Sequence, residues 1–179
     1  FLPGFSKPVI YRISLQQGVG PAIPADNFYC FHAEICIWCS AIEQAANEVS
    51  MRKIADWGNY PVIEADVSGF DTMDQLRSKL EQPGDVIAFA NGRSYGDASL
   101  QNKILLTRRF NKLLSFNPET GELRCQAGVL LSEILDVFVA RGWFLPVTPG
   151  TKLITVGGAI AADVHGKNHH VDGSFGQHI

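Results

Sequence analysis

The segment TPGTKLITVGGAIAADVHGKNHHVDGSFGQHI, residues 148–179, constrains this chain more than any other. It packs six glycines and four histidines among small apolar side chains. Glycine at this density lets backbone approach a ligand closely and adopt positive φ without strain. The histidines add donors and acceptors that titrate near neutral pH. Upstream, NGRSYGD at residues 91–97 has the same character. Two glycine-bearing loops carrying an Arg, a Tyr and several His predict a site for a large phosphorylated cofactor.

Composition narrows the remaining possibilities. A length of 179 residues suits one ordinary domain or one with a small remnant, and 46% hydrophobic residues suffice for a core. The net charge of −3 comes with no basic stripe, so nucleic acid is not an expected partner. No apolar run reaches the roughly 18 residues of a transmembrane helix. Four cysteines in a chain this long read as reduced thiols of a cytoplasmic protein. Cys30, His32, Cys36 and Cys39 look superficially like ligands, but the single CxxC at Cys36 and Cys39 has no second CxxC to pair with, and no metal site is expected.

The composition shifts at Met51, the first methionine. Of the 15 basic and 18 acidic residues, only two and four precede it. Residues 1–50 therefore read as an atypical lead-in, non-native or poorly ordered, with the genuine product starting at Met51. Their one periodic stretch is a helix candidate at residues 35–49. The opening FLPGFSKPVIYRISLQQ fits a signal peptide poorly.

From Tyr60 the pattern is orderly. Residues 61–67 predict a strand, and residues 71–82 a helix capped by Asp71 with Met73, Leu76 and Leu80 on one face. Strands are expected at 85–90, 103–109, 112–117 and 122–128, the last two joined by the turn NPETGE. Residues 129–142 form an amphipathic helix stopped by Gly142, and residues 143–151 are extended. The result is an α+β fold with mixed strands.

Each loop has a chemical reading. In the first, successive N–H groups around Gly92, Ser94 and Gly96 can form an anion nest, with Arg93 as a permanent cation. It is neither a GxGxxG nor a Walker loop, and an ordinary polar turn fits its spacing equally well. In the second, Thr155–Ala162 opens a short helix whose start at Gly157–Gly158 would favour a phosphate. The histidines after it lack HExxH or Cys/His zinc spacing. Cys125 lies in a strand and reads as core. Asp97 and Asp163 read equally well as turn caps.

Together, GRSYGD and PGT…TVGGAIAADVHGKNHH…GSFG resemble the PCMH-type FAD-binding domain of the vanillyl-alcohol-oxidase flavoproteins. Within them the similarity points to the decaprenylphosphoryl-β-D-ribose 2-oxidase group and related FAD-linked sugar oxidoreductases. It covers residues 60–179 and implies a two-subdomain fold, incomplete at its C-terminus, with the substrate or cap domain absent. By that resemblance Gly92, Arg93, Ser94, Tyr95, Gly96 and Asp97 would cradle the FAD pyrophosphate. Pro149, Gly150, Thr151, Thr155, Gly157, Gly158 and Ala161 would line the flavin and ribityl side, with Val164, Gly166, Asn168 and His169 nearby. Tyr95 and His165 would face the flavin and substrate, and Lys167 would contact the substrate.

The resemblance further implies non-covalent FAD, because Arg93 stands where many relatives carry a flavin-linked His. Phe89-Ala90 departs from the Arg-Gly frequent there. The implied chemistry is hydride transfer from a secondary hydroxyl of a sugar, or of a polyprenyl-phosphate sugar, to flavin N5. A partner reductase would then act on the ketone. Aldonolactone or alditol oxidation, or a non-catalytic FAD-binding remnant, are the alternatives. A cytoplasmic location, peripheral to the membrane for a lipid-linked substrate, completes the expectation. A piece of this length is expected to bind FAD weakly and not to turn over.

Overall fold

The computed structural model describes residues 10–17 and 50–179. The helix candidate at 35–49 and the cluster of Cys30, His32, Cys36 and Cys39 lie outside the described residues. The chain divides into two compact units. One comprises Phe1–Gly20 and Phe110–Ile179, and the other Pro21–Arg109.

In the first unit, β1 (Ile10–Ser14) pairs antiparallel with β8 (Glu122–Gln126), which pairs on its other side with β7 (Leu113–Asn117). The short β2 (Gln16–Gln17) pairs with β9 (Trp143–Phe144). Helix α1 (Met73–Leu80) belongs to the other unit; α2 (Leu131–Phe138) lies here and buries Leu131, Ile134 and Phe138. Leu123, Cys125, Val129, Leu145, Val147, Val156 and Phe175 complete one core with these residues. Two positions from the expected lead-in belong to it: Ile13 is 1% exposed and Leu15 is 5% exposed. Burying an Ile or Leu fully stabilises by about 1.5–3 kcal/mol. Residues 10–17 thus supply a paired strand and two buried side chains to this unit. The expected stop of the second helix holds: after a 3-10 turn at Val139–Arg141, Gly142 takes the left-handed conformation at φ 79°.

The second unit is built on a four-stranded sheet in the order β3-β4-β6-β5. These strands are β3 (Ser50–Ile54), β4 (Ile63–Gly69), β5 (Ile87–Phe89) and β6 (Lys103–Leu106). β4 and β5 both run parallel to β6, while β3 is antiparallel to β4. Ala65, Val67, Phe89 and Ile104 form its core. Helix α1 (Met73–Leu80) begins one residue later than expected. Its cap is Thr72, whose Oγ1 accepts from Gln75 N at 3.2 Å while Gln75 Oε1 accepts from Thr72 N at 3.3 Å. This reciprocal box satisfies two otherwise orphaned donors. Asp71 instead pairs with Arg109 at 2.6 Å.

Candidate functional site

Strand β5 delivers the chain into the first loop at Asn91. Gly92 sits at φ 56°, and a Cβ there would lie 3.3 Å from Ala55 O and 3.1 Å from the Phe89 ring. The left-handed angle and the crowding together require glycine. The loop lies against the segment that leaves β3. Trp57 N–H donates to Ser94 O at 3.1 Å, and the Arg93 guanidinium stands 5.1 Å over the Trp57 ring. A cleft of about 710 Å³ opens here, lined by residues 53–57, Asn59 and residues 89–93. Arg93 Nε is buried without a hydrogen-bond partner. An orphaned guanidinium donor is costly, and a phosphate oxygen is a natural acceptor for it. The residues present thus fit the pyrophosphate of a dinucleotide. Tyr95, Gly96 and Asp97 are exposed, Tyr95 at 82%.

The second set belongs to the other unit. Helix α3 (Val156–Ala161) is capped by Thr155, whose Oγ1 accepts from Gly158 N at 3.1 Å. Val156 N donates to Val129 O and Gly157 N to Ala127 O, both at 2.8 Å. The expected phosphate at this helix start is therefore not provided for: the donors at 156–158 are all used by the protein. The glycine at 157 serves packing, since a Cβ there would lie 3.1 Å from Ala127. Gly150 is open, Pro149 is half-buried, and Thr151 Oγ1 accepts from Leu153 N at 3.1 Å. Ala161 is exposed at the end of α3.

Beyond α3 the chain folds back on itself. Val164 O accepts from Phe175 N at 2.8 Å, and His165 bridges to Ser174. Phe175, fully buried, anchors this return. Asp163 Oδ1 accepts from Gly176 N, 13 residues on, at 2.8 Å, so it ties the returning segment rather than capping its own turn. Nδ1 of His165 and of His169 both face the carbonyl of Gly166, at 3.4 and 3.0 Å. A carbonyl can only accept, so these contacts are hydrogen bonds when Nδ1 carries a proton; in the neutral imidazole that tautomer has Nε2 as the acceptor. The rings of His165, His169 and His170 lie in series, centroids 4.9 and 3.8 Å apart and tilted by 54° and 45°. His169 opens α4 (His169–Asp172). Asn168 Nδ2 donates to Pro146 O at 3.0 Å and to Asp172 Oδ2 at 2.6 Å, so its amide is committed to holding this turn. Lys167 is exposed. No metal-ligand cluster occurs among the described residues. Cys125 is fully buried, and burial pushes its thiol up to about 12, as suits a core position.

Sequence reasoning missed Asp56, Trp57 and Ser99, which support the first loop. Asp56 and Ser99 are 43 positions apart, and no local pattern links them. The Trp-Gly step at 57–58 was the one visible signal.

The chain matches the family model described as "FAD binding domain" over residues 76–179. It belongs to that family, and FAD is its cofactor. Among curated proteins it is 37% identical over 136 residues to a decaprenylphosphoryl-β-D-ribose oxidase of Mycolicibacterium smegmatis, covering 72% of this chain and 29% of that protein. A D-lactate dehydrogenase of Anaerostipes hadrus is 31% identical over 72 residues, 40% of this chain and 15% of that protein. The chain thus spans less than a third of the length of these relatives. Among solved structures, cholesterol oxidase from B. sterolicum shares the fold at TM-score 0.56 and 13% identity, covering 83% of this chain and 27% of that one. An alkyldihydroxyacetonephosphate synthase does so at TM-score 0.51 and 18% identity, covering 64% and 24%. The expected α+β, PCMH-type FAD-binding fold is the one observed. Among the described residues no helix is long and apolar enough to cross a membrane.

Proposed function

We propose that this chain is the FAD-binding part of an oxidoreductase that oxidises a secondary hydroxyl of a sugar or polyprenyl-phosphate sugar. The observation that carries this reading is the pair of imidazoles whose Nδ1 atoms face the Gly166 carbonyl at 3.4 and 3.0 Å, an arrangement that in the neutral Nδ1–H tautomer has Nε2 as a base. A base in that tautomer can take the hydroxyl proton of a carbinol. When bound, FAD supplies the two-electron acceptor for the carbinol hydride. Gly92, Ser94, Gly96 and Asp97 hold its pyrophosphate, with Arg93 Nε as the charged donor. Attachment is non-covalent, since Arg93 offers no imidazole for a flavin bond. We also propose flavin- or ribityl-contacting roles for Pro149, Gly150, Thr151, Gly158, Ala161 and Val164, a substrate-orienting role for Lys167 and a flavin-facing role for Tyr95.

The name of the decaprenylphosphoryl-β-D-ribose oxidase supports a lipid-linked sugar. A cytoplasmic, membrane-peripheral location and a partner reductase that consumes the ketone fit such a substrate. A second reading, a D-2-hydroxy acid, is favoured by the likeness to D-lactate dehydrogenase; it too presents a secondary carbinol. Titration of the chain with FAD, followed by flavin fluorescence, is expected to show saturable binding. Lack of binding would overturn the cofactor reading. Dye reduction by the full-length protein with ribosyl phosphates or with D-lactate then separates the two substrate classes.

A further inference from the structure

We propose that Asp56 is a positioning residue for the cofactor loop, acting through Ser99; this rests on the FAD reading given above. Asp56 is 2% exposed, the one buried acid or base among the buried polar residues of the described chain, which otherwise comprise Ser132 and Thr155. A buried carboxylate is costly unless its oxygens are well hydrogen-bonded. Here Ser99 serves both oxygens: its hydroxyl donates to Oδ1 at 2.5 Å and its backbone N–H donates to Oδ2 at 3.2 Å. The neighbouring Trp57 N–H holds Ser94 O at 3.1 Å.

Two consecutive residues thus pin both ends of the arch formed by Tyr95, Gly96, Asp97 and Ala98. Between the two ties all four residues are exposed. Within the arch Ala98 N approaches Tyr95 O at 3.5 Å, and Leu100 N, just beyond it, donates to Asp97 O at 3.0 Å. The same segment carries the ring over which Arg93 lies. Asp56, with both carboxylate oxygens committed to Ser99, therefore fixes where the arch stands relative to the orphaned Arg93 Nε. Its own carbonyl accepts from Asn59 N at 2.9 Å, which closes the supporting turn from below.

The test compares Asp56→Ala, Asp56→Asn, Ser99→Ala and Ser99→Thr for FAD affinity at a temperature where each is folded. Hydrogen bonds to charged groups are worth enough that Asp56→Ala should weaken FAD binding about tenfold to a hundredfold. Ser99→Ala, which keeps the backbone donor, should weaken it less, and Ser99→Thr should restore the wild-type value. Asp56→Ala combined with Ser99→Ala should bind no worse than Asp56→Ala alone, because the two act as one unit. A merely structural Asp56 would lower melting temperature and leave affinity untouched in the folded variants; that result overturns the proposal. If Asp56→Ala does not fold, Asp56→Asn and Ser99→Ala decide, and wild-type affinity in both overturns it. If the wild-type chain takes up no FAD, the proposed function falls, and amide exchange without FAD decides the loop. Faster exchange at residues 95–98 in the variants, with the β1-β8-β7 sheet unchanged, supports the positioning role, and unchanged exchange refutes it.

Discussion

Replacing Gly166 with alanine puts a methyl group where the backbone leaves no room. The added Cβ would lie 2.8 Å from Thr148 O and 2.5 Å from Asn168 Oδ1, where ordinary van der Waals contact begins at 3.4 Å. The Thr148 carbonyl, being backbone, would have to move by about 0.6 Å, the difference between 3.4 and 2.8 Å. Asn168 cannot swing away freely, because its amide is tied to Pro146 O and Asp172 Oδ2. Overpacking of this kind costs about 1–3 kcal/mol, and losing one of the Asn168 bonds adds about 0.5–1.5 kcal/mol. A destabilisation of about 2–4 kcal/mol should lower the melting temperature by about 4–16 °C in a chain of this size. Scanning calorimetry reads the shift. Gly150→Ala is the control, since nothing lies within 4 Å of a Cβ there, and it should stay within about 0.5 kcal/mol of wild type. The reasoning fails if Gly166→Ala melts with the wild type, or if Gly150→Ala falls equally far. Relief of the clash by a backbone shift at residue 166 would also move the Gly166 carbonyl that His165 and His169 face. FAD affinity should therefore fall in Gly166→Ala even in the fraction that remains folded.

Three further outcomes are expected. A chain beginning at Met51 loses β1 with Ile13 and Leu15, about 1.5–3 kcal/mol each, and leaves one side of β8 unpaired; thermal melting should show lower stability and size-exclusion chromatography aggregation, and an unchanged melting point with unchanged elution would count against the assignment of β1. Thr155→Ala removes the cap of α3 and should cost about 1 kcal/mol in urea unfolding, with no loss signalling that Gly158 N finds another acceptor. For Cys125 the folded thiol, at about 12, stands above its ordinary 9.0. The native state holds that proton more tightly than the unfolded chain, so this contribution to stability is complete below pH 9 and is lost as pH rises from 9 towards 12. Cys125 should also resist a thiol reagent at pH 8 until the protein is denatured, and rapid labelling of the native protein would contradict its burial.

Much of the architecture was legible because the elements from residue 60 onward carry strong local signals. The hairpin turn, the apolar face of α2 and the Gly142 stop all lie within a few residues of the structures they determine. Thr72 was misjudged only by one place, although Gln75 three residues on marks it as the cap. Strand β3 escaped because Met51, Arg52 and Lys53 are all exposed, so its side chains show no alternation. β1 escaped because its partner, β8, is more than a hundred residues away. At the site, the two loops were visible as glycine-rich sequence. The fate of the α3 donors was not: it depends on the carbonyls of Ala127 and Val129, which only the fold brings to residues 156 and 157. Long-range hydrogen bonding likewise hid the pairing of Asp56 with Ser99.

The first unit is discontinuous in sequence, with its opening strand separated from the rest by the whole of Pro21–Arg109. During synthesis β1 leaves the ribosome long before β8 exists. At about 5–20 residues per second, the roughly hundred intervening residues represent a wait on the order of 5–20 s. Strands β3 to β6 can meanwhile find all their sheet partners within residues 50–106. The order of birth thus favours completion of the intervening unit first. Throughout that interval Ile13 and Leu15 are uncovered on a nascent chain, available to a chaperone or to a neighbouring copy on the same message.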